Sequence, residues 1–320
     1  MMTAAAITRP CPACGATALA FLGGPQQRWR YLRCSACGHL TLEPMPSAEE
    51  LTAYYNSVYS VPAEKYREAT KREFALARRA LGIAAGVGSR MLEIGCSYGF
   101  MLDAFRREGW TVEGVEIDAR AAAHARDRLR LNVHIGPLED VRAELHPPYH
   151  AVTMFHVLEH IVDPQRFLES VGQLLAPGGR LLLRTPNAGS VAARATGGWW
   201  EWCAAPEHVH LYTIASLEKT LVRNGFRVQK WMTRRGDAHG LLYELVRGGL
   251  RRALGRRNDE RLAGAAPSPR PEAHRQGKLH RASEMAQGTL ELLSMPIDVA
   301  MPLAAASSGA EIIARVTAAR

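Results

Sequence analysis

Short apolar runs alternate with amphipathic segments over residues 90–235 of the chain. The apolar runs have the length of strands and lie at residues 91–94, 110–116, 131–135, 151–155 and 180–184. The segments between them carry apolar residues at helical spacing, and two of these segments open on Asp118 and on Asp163 followed by Pro164, which are helix-capping signals. Strands that alternate with helices in this way predict an α/β fold with a doubly wound parallel sheet.

Two later runs, at residues 226–233 and 311–317, complete the pattern. We expect the last run to insert antiparallel and to finish a Rossmann-like, seven-stranded sheet. About 75 residues separate the two runs, which is far more than a hairpin needs. This basic insert, at about residues 236–305, is either a solvated helix with a flexible linker or a surface for an anionic acceptor, a membrane-bound glycan or RNA.

The charge of the chain is concentrated in one region. The net charge is +9, and residues 234–281 hold twelve Lys or Arg against five Asp or Glu. No run of 18 apolar residues occurs, and the N-terminus lacks the apolar core of a signal peptide. We therefore expect a cytoplasmic protein with no transmembrane segment.

A strand, a small-residue turn and a helix start follow one another at residues 90–108. Gly95, Ser97 and Gly99 form the turn, which can point backbone N–H groups toward an anion or a nucleotide. The next strand ends at Glu116, 23 residues after Glu93, where such folds place a carboxylate on ribose hydroxyls. The spacing G-x-S-x-G argues against a dinucleotide site, and a tight turn that binds nothing is the alternative.

Four cysteines form two C-x-x-C-G knuckles separated by 19 residues: Cys11, Cys14, Cys34 and Cys37. Thiolates at this spacing favour one tetrahedral Zn²⁺, and four sulfur ligands leave no open position, so the ion would be structural. A redox C-x-x-C pair is the alternative. His39 is adjacent to the second knuckle, and we do not expect it to be a ligand.

A connecting region follows the predicted ribbon. Ser47 and Glu50 form the capping box of a helix, and Tyr54, Tyr55 and Tyr59 come after it. The tyrosines either pack between two domains or place one hydroxyl in an acceptor pocket, for which we select Tyr59. The predicted organisation is a zinc ribbon at residues 1–44, connecting helices at 45–89 and a catalytic domain at 90–320.

Polar residues follow the fourth and fifth strands of the predicted sheet. His156, Glu159 and His160 come directly after residues 151–155, and they allow either a metal site or a loop histidine bonded to backbone. The loop at residues 195–213 carries a glycine-flanked tryptophan cluster, which either forms a lid over an acceptor or packs against the domain. The same loop contains the pair Glu207-His208.

Five motifs in this order resemble the class I S-adenosylmethionine-dependent methyltransferases: LEIGCSYG, VEGVEID, FHVLEHIVDP, LLAPGGRLLLRTPN and EHVHLYT. The subgroup that they resemble carries a four-cysteine zinc ribbon and includes sugar C-methyltransferases. The resemblance covers about residues 11–235 and the final strand. It implies that S-adenosylmethionine and structural zinc are the cofactors. The implied acceptor is a small, hydroxylated molecule, such as a sugar, a nucleotide sugar or a natural-product or glycan intermediate, methylated at oxygen or carbon.

The same resemblance implies a role for each matching residue. The methionine end of the cofactor is held by Glu93, Gly95, Ser97 and Gly99; Glu116, followed by Ile117, accepts from the ribose; Leu138 and Glu139 flank the adenine; and His156 lies beside the sulfonium. His208 is implied as the general base and Glu207 as its orienting partner. An RNA-modifying methyltransferase is the main alternative, although nucleic acid is disfavoured because the ribbon holds few basic residues. A non-catalytic scaffold and an NAD-dependent enzyme are the others.

Overall fold

The computed structural model of the protein describes residues 9–24, 28–58, 63–234, 241–254 and 311–318. Within these ranges a seven-stranded sheet has the order β10-β11-β8-β7-β4-β5-β6. Its strands are β4 (Arg90–Ile94), β5 (Thr111–Glu116), β6 (Val133–Ile135), β7 (Tyr149–Phe155), β8 (Leu175–Pro186), β10 (Phe226–Arg234) and β11 (Glu311–Ala318).

The strand directions confirm the predicted sheet. Strands β6, β5, β4, β7 and β8 are mutually parallel, whereas β11 pairs antiparallel with both β8 and β10. The last strand therefore inserts between two earlier strands. Since Glu311 pairs with Pro186, the first residue of β11 lies at the carboxyl end of β8, which is the edge where ligands of such sheets bind.

Helices cover both faces of this sheet, and their starts follow the capping signals of the sequence. Asp118 accepts a hydrogen bond from the Arg120 amide at 2.9 Å and Asp163 accepts one from the Arg166 amide at 3.1 Å. The α-helices are α1 (Ala48–Val58), α2 (Ala63–Leu81), α3 (Phe100–Arg107), α4 (Ala119–Leu129), α5 (Leu138–Val141), α6 (Pro164–Leu174), α7 (Val191–Thr196), α8 (Ile214–Arg223) and α9 (Leu241–Leu254).

Strand β8 starts earlier than the sequence pattern predicts. It begins at Leu175 rather than at residue 180, because residues 177–179 form an irregularity within the strand: Tyr149 pairs with Leu175 and Ala151 with Arg180. Helix α8 begins at Ile214, where Thr213 forms a capping box with Ser216.

A second, four-stranded antiparallel sheet has the order β1-β2-β3-β9. Strands β1 (Leu19–Phe21), β2 (Arg30–Cys34) and β3 (Leu40–Glu43) belong to the cysteine-rich segment, but β9 (His210–Leu211) comes from the loop that follows the large sheet. The small sheet is therefore completed by the segment that carries Glu207-His208. The predicted boundaries at residues 44 and 89 remain predictions.

The basic insert is described in part. Helix α9 lies in it and packs on α7, where Gly248 is so close to Thr196 that a Cβ atom would come within 2.3 Å of the threonine methyl group. Residues 236–240 and 255–305 of the insert lie outside the described residues. Of the helices in the described ranges, none combines the length and the apolar character that crossing a bilayer would require.

Candidate active site at the carboxyl edge of the sheet

The turn after β4 has the backbone geometry of a nucleotide-binding loop. Gly95 and Gly99 have φ values of +74° and +80°, and Ser97 between them has a φ of +48°, which L-residues rarely adopt. A Cβ atom at Gly95 would lie 2.6 Å from Cγ2 of Val157. The glycine is thus required because the turn lies directly against the segment that follows β7.

Two buried carboxylates stand at the start and the end of this motif. Both oxygens of Glu116 accept backbone N–H groups, from Ser97 at 2.7 Å and from Asp118 at 2.8 Å, which fixes the carboxylate at the tip of β5. Burial, together with the nearby Glu116, raises the pKa of Glu93 to about 8.

These residues fit S-adenosylmethionine. Among the described residues, Glu93 Oε2 and Ser97 Oγ are buried and have no hydrogen-bond partner. A buried acceptor without a donor costs free energy, which a ligand bearing an ammonium group would recover. The remaining lone pairs of the Glu116 oxygens are suited to ribose hydroxyls.

The other predicted cofactor residues differ in exposure. Ile117 is 56% exposed directly after Glu116, whereas Leu138 is buried in the core cluster and Glu139 is exposed. Of the three, Ile117 presents the largest apolar surface next to the carboxylate of β5. The roles of all three remain predictions.

His156 is half-buried and lies between two buried acids. Its Nδ1 lies 3.1 Å from Glu159 Oε1, and its Nε2 lies 2.9 Å from Glu311 Oε1. Burial alone would lower the pKa of His156, but the two carboxylates outweigh it and raise that pKa to about 9. Both ring nitrogens are therefore donors of an imidazolium, and His156 has no free lone pair to act as a base.

The carboxylate of Glu159 is held from both sides. Its second oxygen, Oε2, accepts from the hydroxyl of Thr185 at 3.0 Å. Although burial raises the pKa of Glu159, the charged His156 outweighs this and lowers it to about 2. Glu159 is consequently an ionised, fully buried acid next to the glycine turn.

Two tryptophans of the loop at residues 195–213 have different surroundings. Trp200 is 1% exposed and packs in the core cluster that joins α7 to strands of the small sheet. The indole of Trp202 stacks on two imidazoles: it lies 5.3 Å from the ring of His156 and 5.6 Å from the ring of His208, with interplanar angles of 9° and 19°. These contacts hold both rings in place, while Trp202 itself is half-buried.

His208 is buried with a defined tautomer. Its Nδ1 lies 2.8 Å from the carbonyl oxygen of Trp202, which can only accept, so Nδ1 carries a proton and Nε2 carries the lone pair. The resemblance implied Glu207 as the orienting partner, and that role remains a prediction; the Trp202 carbonyl is the contact at Nδ1. Burial also lowers the pKa of His208, which keeps the ring neutral.

Helix α1 contributes Tyr55, one of the three tyrosines named from the sequence. The hydroxyl of Tyr55 lies 3.1 Å from Nδ1 of His160, whose same nitrogen is 2.9 Å from the Glu207 carbonyl oxygen. Tyr59, which the sequence selected for the acceptor pocket, lies outside the described residues. The role selected for Tyr59 remains a prediction.

The four cysteines of the ribbon meet the geometry of a zinc site. Their sulfur atoms lie within 4.8 Å of one another, and Cys11–Cys37 and Cys14–Cys34 are each 3.7 Å apart. Tetrahedral Zn–S bonds of about 2.3 Å place sulfurs about 3.8 Å apart, whereas a disulfide needs about 2.05 Å. His39 is turned away from this cluster and pairs with His210 at 3.2 Å.

Residues 64–230 match the protein family described as "Methyltransferase domain". The chain belongs to this family. Together with the seven-stranded sheet and the glycine turn, the match shows a class I S-adenosylmethionine-dependent methyltransferase, as the sequence motifs predicted.

Curated relatives of this methyltransferase include O-methyltransferases. It is 28% identical over 193 residues to the ubiquinone biosynthesis O-methyltransferase of Xylella fastidiosa, covering 57% of this chain and 75% of that protein. It is 36% identical over 105 residues to the protein of the same name from Caulobacter sp., covering 31% of this chain and 42% of the relative.

Solved structures give matches of lower identity. A SAM-dependent methyltransferase from Archaeoglobus fulgidus aligns with a TM-score of 0.46 and 17% identity over 83% of this chain and 98% of that one. Phosphoethanolamine N-methyltransferase 2 of Haemonchus contortus, in complex with S-adenosylmethionine, aligns with a TM-score of 0.47 and 16% identity over 78% and 53% of the respective chains.

Proposed function

We propose that this methyltransferase transfers a methyl group to a hydroxyl oxygen of a small, hydroxylated acceptor. The observation that carries the proposal is the buried His208, whose Nδ1 donates to the Trp202 carbonyl and whose Nε2 keeps a lone pair. Such a nitrogen can take the proton of an acceptor hydroxyl. The names of the curated relatives support oxygen as the methylated atom. The sugars implied by the motifs also carry hydroxyl groups that could accept the methyl group.

In this proposal the cofactor lies along the carboxyl edge of the sheet. S-adenosylmethionine supplies an electrophilic methyl group on a sulfonium. Glu93 and Ser97 bind the amino-acid end of the cofactor with their unpartnered buried oxygens, and Glu116 binds the ribose. The close contact between Gly95 and Val157 brings this edge next to the residues that follow β7, so His208 and the cofactor face one acceptor.

The step itself requires little beyond alignment. The acceptor oxygen forms a bond to the methyl carbon, the carbon–sulfur bond breaks with its electron pair going to sulfur, and the hydroxyl proton goes to His208 Nε2. The burial of His208 limits the access of water to its ring, and stacking against Trp202 holds the imidazole in position. The zinc that we assign to the four cysteines is structural in this scheme.

The affinity for S-adenosylmethionine should depend on pH through Glu93. Because the pKa of this acid is raised to about 8, a proton must leave it before it can pair with the ammonium group of the cofactor. We expect the affinity to rise by up to about tenfold per pH unit from about pH 5.5 to about pH 7.5. Calorimetric titration across this range should show the slope in the wild type and lose it in Glu93→Gln; an equal slope in both would contradict the assignment.

Glu116→Ala should weaken S-adenosylmethionine binding by about 30-fold or more, since about 2 kcal/mol is a modest estimate for hydrogen bonds from two hydroxyls to a buried carboxylate. Glu218→Ala, which removes an exposed acid of α8, is the matched control and should bind normally. Unchanged binding by Glu116→Ala would place the nucleotide elsewhere.

The acceptor class is tested by incubating the protein with S-adenosylmethionine and pools of phenols, catechols, sugars and nucleotide sugars. Mass spectrometry should find one added methylene unit on a hydroxylated compound together with S-adenosylhomocysteine. Methylated RNA without any small-molecule product, with binding that weakens steeply as salt rises, would instead favour the RNA alternative.

A further inference from the structure

Within the described residues, three or more metal-ligating atoms converge in two places, of which the cysteine ribbon is one. The other joins Glu159, His160 and His208, with one ligand atom of each within 4.8 Å of the others. We infer that these three side chains form a second metal site, which binds a divalent first-row transition ion. The inference goes beyond the proposed function, because the ion can be measured with neither cofactor nor acceptor present.

The convergence results from main-chain contacts between distant segments. Glu159 and His160 lie on the 3-10 helix Leu158–His160, and His208 follows 48 residues after His160. The amide of Val209 donates to the carbonyl oxygen of Glu159 at 2.8 Å, and the rings of His160 and His208 have centroids 4.8 Å apart. The two segments are thereby fixed to one another before any ion binds.

The hydrogen bonds of both histidines leave the nitrogen that a metal requires. Nδ1 of His160 donates to the Glu207 carbonyl at 2.9 Å, and Nδ1 of His208 donates to the Trp202 carbonyl at 2.8 Å. Each Nε2 therefore keeps its lone pair. Metal-binding histidines characteristically donate their other N–H group to a carbonyl or carboxylate, which fixes the tautomer and the ring orientation.

Glu159 supplies the negative charge. Its oxygens are held by His156 and Thr185, and the side chain is 0% exposed. Two imidazole lone pairs and a carboxylate are all acceptors, so no hydrogen bond can join them to one another. A cation satisfies all three. Ligand atoms about 2.1 Å from an ion at tetrahedral angles lie about 3.4 Å apart. The three ligand atoms, now within 4.8 Å of one another, would therefore have to move closer by about an ångström.

The ligand set selects the class of ion. Two imidazoles and one carboxylate suit Zn²⁺, Co²⁺, Mn²⁺ or Fe²⁺ rather than Mg²⁺ or Ca²⁺, which prefer oxygen ligands throughout. Three protein ligands would leave one coordination position open, where the ion would lower the pKa of an acceptor hydroxyl. In the metal-bound form His208 is a ligand, and the ion takes over the activation of the hydroxyl.

Cobalt distinguishes the two sites by spectroscopy. Protein with its ribbon loaded with Zn²⁺ is treated with a mild chelator and titrated with Co²⁺ in the absence of S-adenosylmethionine. Co²⁺ at the second site should add ligand-field bands in the visible range without the thiolate charge-transfer bands of the ribbon. Zn²⁺ should displace this cobalt, and elemental analysis should find one metal equivalent beyond the ribbon ion.

His208→Asn and His160→Gln should each weaken Co²⁺ binding by at least about tenfold. Removing only the hydrogen-bond partner of a metal ligand already lowers metal affinity by about tenfold, and these variants remove the ligand itself. His150→Gln, which changes an exposed histidine at the start of β7, should bind as the wild type does. Normal binding by both site variants, or no binding beyond the ribbon in the wild type, would overturn the inference. S-adenosylmethionine affinity and methyl transfer, measured on the same samples, report separately on the proposed function.

Discussion

Replacement of His208 by asparagine is expected to lower kcat by about 10²–10⁴-fold and to leave the affinity for S-adenosylmethionine nearly unchanged. The asparagine amide can still donate to the Trp202 carbonyl in place of Nδ1, so the loop keeps its main contact. It provides no lone pair at the position of Nε2. The loss follows whether that lone pair takes a proton or binds an ion.

Steady-state rates with a methylated acceptor, together with calorimetry, measure this effect. His208→Gln is the companion variant, because its amide reaches toward the position of Nε2 but is not basic, and it should be impaired to a similar degree. Urea unfolding of both variants checks that the fold is retained. A kcat within about threefold of the wild type, far short of the loss typical of a removed base, would exclude His208 from the chemistry.

Replacement of His156 by glutamine is expected to reduce the free energy of unfolding by about 3–5 kcal/mol. The imidazolium lies between the carboxylates of Glu159 and Glu311, which are 0% and 1% exposed. Removal of the cation leaves two buried acids facing an amide, with the guanidinium of Arg184, 3.9 Å from Glu311, as the nearby positive charge that remains. Because such charges cannot be rehydrated without opening the site, most of the cost should appear as lost stability.

Equilibrium urea unfolding of the wild type and His156→Gln near neutral pH measures this loss. Adding Glu311→Gln to the histidine variant removes one of the two buried negative charges and should restore at least about 1 kcal/mol. A loss below about 1 kcal/mol in the single variant, typical of exposed ion pairs, would show that His156 is neutral and replaceable. Greater loss in the double variant would show that Glu311 depends on other partners.

The large sheet could be predicted because its signal is local. The apolar run ending at Ile94, the small residues at Gly95 and Gly99, and the cap at Asp118 each report on a few neighbouring residues. Short-range sterics and helix capping fix these features wherever the chain is placed. The cysteine knuckles could be predicted for the same reason, because the C-x-x-C spacing alone places two thiolates close enough to bind one ion.

The composition of the active site depends on pairing between distant segments, which no local pattern encodes. His156 and His160 have the spacing of a helical metal pair, but His156 is taken up by two carboxylates, one of which is on β11 at residue 311. His208, rather than His156, supplies the second imidazole near Glu159 and His160. This arrangement depends on the register of β11 against β8 and on the hydrogen bond from the Val209 amide to the Glu159 carbonyl.

The shared sheet of the ribbon also has a consequence for cooperativity. Strand β9 pairs with β3 through His210 and Thr41, the amide of Leu42 donates to the Val209 carbonyl at 2.9 Å, and the hydroxyl of Tyr31 donates to the His208 carbonyl at 2.6 Å. The backbone of His208 is thus held by residues whose own order depends on the ribbon. Folding of the small module and positioning of the reactive nitrogen are therefore one event, and the ribbon cannot be deleted or exchanged as an independent part without also dismantling the site.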